Sequence, residues 1–522
     1  MKYSHFIISF ILGLSISSCN EILTEDPVSL ATSDSYYVTE RGIEDGLKAS
    51  YTTLRRFYGQ QNGFFLTVTG TDIFTNGFGG IANNPDINNY SSNFLGTNST
   101  VTNVWNALYV GVNQCNTVVS KIPDVTGISE ERRKEVEAEA RFLRALYYFH
   151  LVQQWGDVHF TLEETKGVET EANKTPAATI YENGILPDLE FAVENLPPSA
   201  GEQGRAFKGA AEAILARVHL TLGNWAAAEA LASNVITNYD FELVTPYADL
   251  WDINNDTNKE FIFDYTFNPA MVRDVENGRP FQRFLPTNYL FSLYDRDIDA
   301  RWNGSFKTVW YANISAEING HQVNPGDTAI HIVMEPVPDE VKMAAPYWII
   351  DYKGNWIGDV NAYQEIGTNQ RRNYPSLLKF LDPLRPSTNE TAGRRDFPVV
   401  RLAEMYLIAS EAAWRQGEAG AAADYMNVLR SRAAIPGKEA EMLVDANDIN
   451  LDFILEERAR ELVGEKHRWY DLKRTGTLLE RVREYNLDAN PNIKEMHLVR
   501  PIPQTQIDRA SNPGEFVQNP GY

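Results

Sequence analysis

The densest run of reactive side chains is LEERARELVGEKHRWYD, residues 455–471. It carries Glu456, Glu457, Glu461, Glu465, His467 and Asp471 within one helical-looking stretch. Carboxylates four residues apart share a helix face, so metal binding or acid–base chemistry is conceivable there. However, Arg458, Arg460, Arg468, Lys473 and Arg474 are interleaved with the acids. Several stand three or four residues from one, a spacing that predicts ordinary helix ion pairs and a scaffold role. A glycosidase needs two carboxyl groups facing across a cleft, roughly 5–5.5 Å or 6.5–9.5 Å apart. Asp72, Asp86, Asp295, Asp297 and Asp299 lie in irregular stretches, but no motif pairs any two of them. The alternation of Asp295, Asp297 and Asp299 hints at calcium, yet Arg296 and Arg301 sit among them and no EF-hand glycine follows. The eight His are scattered, and neither HExxH, GxSxG nor a phosphate-cradling loop is present. No catalytic residue, metal or cofactor is expected.

Carbohydrate binding needs no reactive group. It needs a flat aromatic face for the C–H side of a pyranose, and Asp, Asn or Arg for the hydroxyls. Two stretches supply both: 59–100, rich in Gly and Asn, and 265–395, which holds Trp302, Trp310, Trp348 and Trp356, four of the ten Trp. The stacking candidates are Trp310, Tyr311, Trp348 and Trp356, then Tyr90 and Phe78. The polar candidates are Asp72, Asn76 and Asn88. Local packing is the competing use for each.

The elements that must hold these loops read as helices. KEVEAEARFLRALYYFHLVQQWGD (134–157) and TVTNVWNALYVGVNQCNTVVSKI (100–122) repeat apolar residues at helical spacing. Cys115 falls on the apolar face of the second and is expected as a buried small hydrophobe. Trp105, Trp155, Trp225, Trp414 and Trp469 lie in such patterns and are expected in the core. AILARVHLTLGNWAAAEALASNVI and MYLIASEAAWRQGEAGAAADYMNVLR each predict helix, glycine turn and alanine-rich helix. Gly223 and Gly417 mark the turns, and Ala228 and Ala422 follow five residues later. This is the tetratricopeptide pattern, in which a hairpin buries its apolar face only by stacking on the next. Weaker hairpins fall at 40–56 with 105–121 and at 130–155 with 178–196. The fold class expected is therefore mainly α: a right-handed superhelix of about four hairpins, interrupted by irregular insertions with short strands such as IHIVMEPV and YWIIDY.

The front end explains one of the two cysteines. Lys2 precedes a short apolar run, Phe6 to Leu14, which is too short to span a bilayer and fits a secretory signal. Ile16-Ser17-Ser18-Cys19 resembles a bacterial lipobox, so residues 1–18 are expected as a signal peptide and Cys19 as the acylated first residue. An anchor of several acyl chains is effectively permanent. With Cys19 lipidated, Cys115 has no disulfide partner. The formal charge of −23 disfavours nucleic acid and anionic lipid headgroups and suits neutral or cationic ligands.

Taken together, the lipobox, ILTEDPVSLATSDSYYVTERGIEDGLKASYTTLR, Trp105…Tyr109…Asn113, EARFLRALYYF, GRAFKGAAEAILARVHL, RLAEMYLIASEAAWRQG, NVLRSRA, ILEERARELVGEKHRWYDLKRTG and PIPQTQID…QNPGY resemble the SusD/RagB family over nearly the whole chain. The resemblance implies an outer-membrane lipoprotein of Bacteroidetes facing the cell exterior. It implies no enzymatic activity, an oligosaccharide or polysaccharide ligand held by the loops, and a SusC-like TonB-dependent transporter as partner. The division implied is 1–18 signal, 19–264 helical with loop 59–100, 265–395 aromatic-rich insertion and 396–522 helical. A surface glycoside hydrolase, or a helical-repeat scaffold or peptide-binding lipoprotein, are the alternatives.

Overall fold

The structure, a computed structural model, describes residues 33–77, 84–265, 283–352, 371, 374–385, 393, 395–512 and 514–522. The signal segment, Cys19, Phe78 and Trp356 lie outside the described residues.

Eight helices build the frame, paired as four hairpins. The first joins α1 (Glu40–Thr52) to α2 (Ser99–Lys121), and the second joins α3 (Glu130–Trp155) to α4 (Leu186–Asn195). The third is α5 (Lys208–Leu222) with α6 (Trp225–Asn238), and the fourth α7 (Leu402–Arg415) with α8 (Ala419–Ala433). Each of the first three helices starts where a polar side chain satisfies a free N–H: Thr39 accepts from Gly42, Asn98 from Thr100, and Ser129 from Arg132. Neighbouring hairpins pack in sequence, α2 on α3, α4 on α5, and α6 on α7. The chain is thus a mainly helical, tetratricopeptide-like stack.

The two hairpins that resemble each other are direct neighbours, although the insertion separates them in sequence. Gly223 and Gly417 both take left-handed φ values, 77° and 87°, which end a helix and start a tight return without a Cβ clash. Ala228 and Ala422 are fully buried between the helices they let approach. Cys115 is buried as expected, and burial pushes its thiol up to about 12. Trp105, Trp155 and Trp469 are core, while Trp225 and Trp414 are only half-buried and flank the Arg415 guanidinium.

Short strands tie the irregular stretches to this frame. β1 (Phe74–Asn76) pairs antiparallel with β3 (Phe284–Pro286), and β2 (Phe261–Tyr265) pairs antiparallel with β9 (Phe397–Arg401). β4 (Val309–Tyr311), β7 (Thr328–Val333) and β8 (Trp348–Asp351) form a three-stranded sheet with β7 in the middle. A small hairpin, β5 (Ala316–Ile318) with β6 (His321–Val323), caps that sheet's first connection. The insertion shares the main core: Phe291, Tyr294, Trp302, Phe306, Ile332 and Tyr352 all join the cluster that holds the helices.

The acid-rich run of residues 455–471 is scaffold, as expected, but its ion pairs are mostly not the expected ones within the helix. It spans α9 (Leu451–Glu461) and enters α10 (Arg468–Arg474), and Glu457, Glu461 and Glu465 are fully buried. Their partners are mostly remote. Arg401 meets Glu465 at 2.7 Å, Glu260 at 2.6 Å and Glu461 at 2.8 Å. Arg432 of α8 bridges Glu260 at 2.7 Å and Glu461 at 2.6 Å. Arg301 of the insertion binds Glu457 at 2.6 Å and Asp299 at 2.8 Å, and Lys379 binds Glu465 at 2.7 Å. Only Arg460 supplies Glu457 from within the helix, at 2.8 Å. Burial alone would raise these carboxyls; the surrounding Arg and Lys charges override it and hold Glu457, Glu461 and Glu465 below the ordinary glutamate range.

Two outcomes follow. Removing one cation of such a set strands a buried carboxylate, so Arg401→Met should cost about 3–5 kcal/mol of unfolding free energy in urea melts. The exposed pair of Lys438 and Glu441 should, by contrast, cost under about 1 kcal/mol when broken. The second outcome concerns pH. The three depressed glutamates contribute fully above their unfolded value, about 4.5, and lose that contribution progressively as pH falls from there toward their lower folded values, so they add almost no slope above about pH 5. His467 behaves differently because it is buried neutral: burial, then Arg217 and Arg458 against Glu404 and Asp471, leaves it at about 4. Its contribution is complete above its unfolded value, about 6.5, and is lost as pH falls toward 4, on the order of 3 kcal/mol. Stability should therefore decline from pH 6.5 to 4, and His467→Gln should flatten part of that decline. A wild-type profile that is level across this window would contradict it.

Candidate functional site

The strongest arrangement of open ring faces lies on the three-stranded sheet. In its register Trp310 of β4 pairs with Ile330 of β7, which in turn pairs with Trp348 of β8. Directly paired residues project to the same face, about 4.8 Å apart per strand, so the two indoles flank Ile330 on one side. A register shift between Trp310 and Tyr311 places Tyr311 opposite Thr328.

The row runs outward from the core. Ile332 is buried, and Ile330, Ile350 and Trp310 pack partly against the main cluster. Beyond them Trp348 is 54% exposed and Tyr311 66% exposed. Lys307 stands 5.4 Å from the Trp310 ring centre, and Trp310 Nε1 has no hydrogen-bond partner among the described residues. The platform is braced from behind. Lys342 on the crossover helix Asp339–Ala344 meets Asp351 at 2.8 Å, and Asn319 donates to the Lys342 and Ala345 carbonyls at 2.9 Å each. Exposed Ile314 and Met343 belong to the same connections. Trp302, the remaining described indole of the insertion, is core, in edge contact with Phe291.

The candidates from 59–100 do not join this surface. Asp72 is fully buried, with Arg468 at 2.5 Å and Arg481 at 3.0 Å. Burial would raise its carboxyl, but the two guanidiniums hold it below the usual range. Asn88, also fully buried, accepts from Gly70 N–H at 3.0 Å and donates to Thr75 Oγ1 at 3.1 Å. Tyr90 donates its hydroxyl to the Gly70 carbonyl at 2.8 Å. Asn76 is buried in β1 and donates to Asn89 at 3.1 Å. These four are buried framework and not part of an open surface: Asp72 ties the flank of β1 to α10 and to α11 (Leu478–Tyr485), while Asn76, Asn88 and Tyr90 bond to Asn89, Thr75 and Gly70. Of the Asp residues weighed for chemistry, Asp299 is buried, Asp86 half-buried, and Asp295 and Asp297 exposed. Asp299 is buried on Arg301, Asp295 accepts from Asp297 N–H at 3.1 Å, and Asp86 accepts from Ser91 at 2.5 Å. Among the described residues no group of three His, Cys, Asp or Glu is placed to hold a metal.

Fold and surface together define a helical-repeat protein whose insertion presents aromatic faces to solvent. The sequence model of the SusD family matches residues 231–522, and a second, described as starch-binding associating with outer membrane, matches residues 43–220. The chain belongs to the SusD family. It is 28% identical over 531 residues to the SusD-like protein P25 of Formosa agariphila, covering 97% of each chain. To the starch-binding protein SusD of Bacteroides thetaiotaomicron it is 26% identical over 436 residues, 76% of this chain and 74% of the relative. The same fold is seen in a laminarin binding SusD-like protein, with a TM-score of 0.67, 22% identity, and coverage of 93% of this chain and 100% of the other. It recurs in surface glycan-binding protein A from Bacteroides thetaiotaomicron in complex with laminarihexaose, with a TM-score of 0.69, 19% identity, and coverage of 92% and 99%.

Because Asp72 is framework, Asp72→Ala should leave two guanidiniums buried without a counter-charge and destabilise the protein by about 3–5 kcal/mol. The affinity of the molecules that remain folded for any glycan should be unchanged. Calorimetric melting and binding measured on the same preparation check both halves.

Proposed function

We propose that this protein is a non-catalytic, lipid-anchored glycan-binding protein of the outer membrane that passes oligosaccharides to a SusC-like TonB-dependent transporter. The observation that carries the reading is the row Trp310, Ile330, Trp348 across the three-stranded sheet. Two indoles spaced by one strand make a platform wide enough for successive sugar rings. Stacking on it would exclude water from both the C–H faces and the indoles. Relatives whose descriptions name laminarin, laminarihexaose or starch support the ligand class. The family described as associating with the outer membrane supports the location. Acylation of Cys19 and an outward-facing body complete the reading. No helix among the described residues is long and apolar enough to cross a membrane, so the acyl anchor is the attachment proposed.

A platform with few charged contacts binds modestly, roughly micromolar to millimolar, which suits a ligand that must be released onward. Full-length protein in detergent, titrated against a panel of soluble polysaccharides, should bind at least one of them without shortening it. Trp348→Ala should weaken that binding about tenfold, equivalent to about 1.4 kcal/mol. Unchanged affinity in both Trp348→Ala and Tyr311→Ala, or the appearance of chain-shortened products, would overturn the proposal.

A further inference from the structure

A cavity of about 370 Å³ lies between the α5–α6 hairpin and β2. Its walls are aromatic. The Tyr239 and Phe241 rings stack at 5.8 Å with 26° between their planes, and Phe207 stands 6.3 Å and 6.1 Å from them. Phe261 and Phe263 complete the apolar side. Gly209 in the first turn of α5 makes room for this wall: a Cβ there would come within 2.8 Å of the Phe207 ring and 2.9 Å of the Tyr239 ring.

The opposite side is acidic. Asp264 is only 6% exposed, and Gln203 spans it and Asp396 with donations of 2.9 Å and 3.0 Å. Asp256 Oδ1 is buried without a hydrogen bond among the described residues, its ion-pair partner Arg395 standing 3.7 Å off. Asp240 at the rim is answered by Lys259 at 3.2 Å. Among the described lining residues the one cation is Arg205, and it is turned to Glu139 at 2.8 Å. The cavity therefore offers two poorly matched carboxylates beside a bed of ring faces.

We infer that this cavity is a cation-selective subsite for a ring-sized ligand that carries a free ammonium group, an unacetylated amino sugar. A neutral sugar could donate hydroxyls to Asp256 and Asp264 but would leave Asp264 with only the neutral Gln203, and Asp256 with Arg395 3.7 Å away, to set against their charges. An ammonium brings a positive charge and three donors to the same two carboxylates. Its ring carbons lie on Tyr239 and Phe241, where a cation near the ring faces gains further attraction. The volume sits at the small end of ligand sites, which suits one ring and not a chain. Choosing a sugar over a lysine side chain rests on the glycan-binding reading; the preference for ammonium does not.

Calorimetric titration of the full-length protein with glucosamine, N-acetylglucosamine, glucose and Nα-acetyl-lysine amide tests this. Glucosamine should bind at least tenfold more tightly than N-acetylglucosamine and glucose. Asp264→Asn should abolish that advantage, and Asp256→Asn, at a more exposed position, should reduce it independently should the first variant fold poorly. Trp348→Ala should leave glucosamine binding unchanged, so loss of polysaccharide binding at the sheet is distinguishable from failure of this pocket. Equal binding of glucose and glucosamine, no glucosamine binding at millimolar concentration, or loss of it in Trp348→Ala would overturn the inference. Tighter binding of the lysine amide than of glucosamine would overturn the assignment to a sugar.

Discussion

The constraint on which the rest depends is the burial of Glu457, Glu461 and Glu465 along α9 and just after it. Three carboxylates cannot be withdrawn from water without cations brought to them, and the effective cost is several kcal/mol for each ion left unpaired. The cations come from separate parts of the chain. Arg301 and Lys379 belong to the insertion, Arg401 ends β9, and Arg430 and Arg432 lie on α8. The network therefore closes only when the insertion, the β2–β9 pair and the fourth hairpin are all in place. Replacing it with packed hydrophobes could give equal stability; what its geometry supplies is a single permitted arrangement of elements distant in sequence. Trp251 lies over it, 4.8 Å from Lys379 Nζ, and so keeps water from a set of charges that water would loosen.

That fixed frame explains how an insertion with so little regular structure can present a shaped surface. The three-stranded sheet would be marginal by itself, since small isolated sheets need a packed face. Here Ile332 and Tyr352 are pinned in the main core and Asp351 is held by Lys342, so the inner end of the sheet cannot slide. A one-residue slip would exchange the faces and carry Trp310 and Trp348 away from the row they form with Ile330. Register is thus decided at the core end and read out at the solvent end, where the rings stand.

Much of the frame was legible because its signals are local. Helical periodicity, glycine at the turns and alanine at the close approaches depend on neighbours within a few residues, and the four hairpins follow from them. The site was legible only in part. Trp302, Trp310 and Trp348 look alike in sequence, each among polar and β-prone residues. Their fates were decided by Phe291 and Phe306 packing on Trp302, and by strand pairing that carried Trp348 outward. The stretch 59–77 misled for the opposite reason. Its Asn, Thr and Asp residues suggest a solvated ligand loop, but their partners Arg468, Arg481 and Asn486 lie some four hundred residues away. Polar composition marks exposure only when no remote partner exists, and sequence spacing carries no trace of one. The α9 acids misled in the same way, since their i+4 spacing offered a local explanation that the fold mostly does not use.

The internal pairing also changes what the net charge means. Because the buried acids are matched by buried cations, the excess of −23 must be carried nearly whole by the outer surface. Such a surface repels polyanions at distances up to the screening length, about 8 Å in physiological salt, before any contact is made. Sulfated or uronate-rich polymers would meet that barrier at every approach, whereas neutral chains would not feel it and cationic ones would be drawn in. On the glycan-binding reading, such a field would sort ligands by charge before any ring contact is made. A neutral or amine-bearing chain is the class that both steps admit.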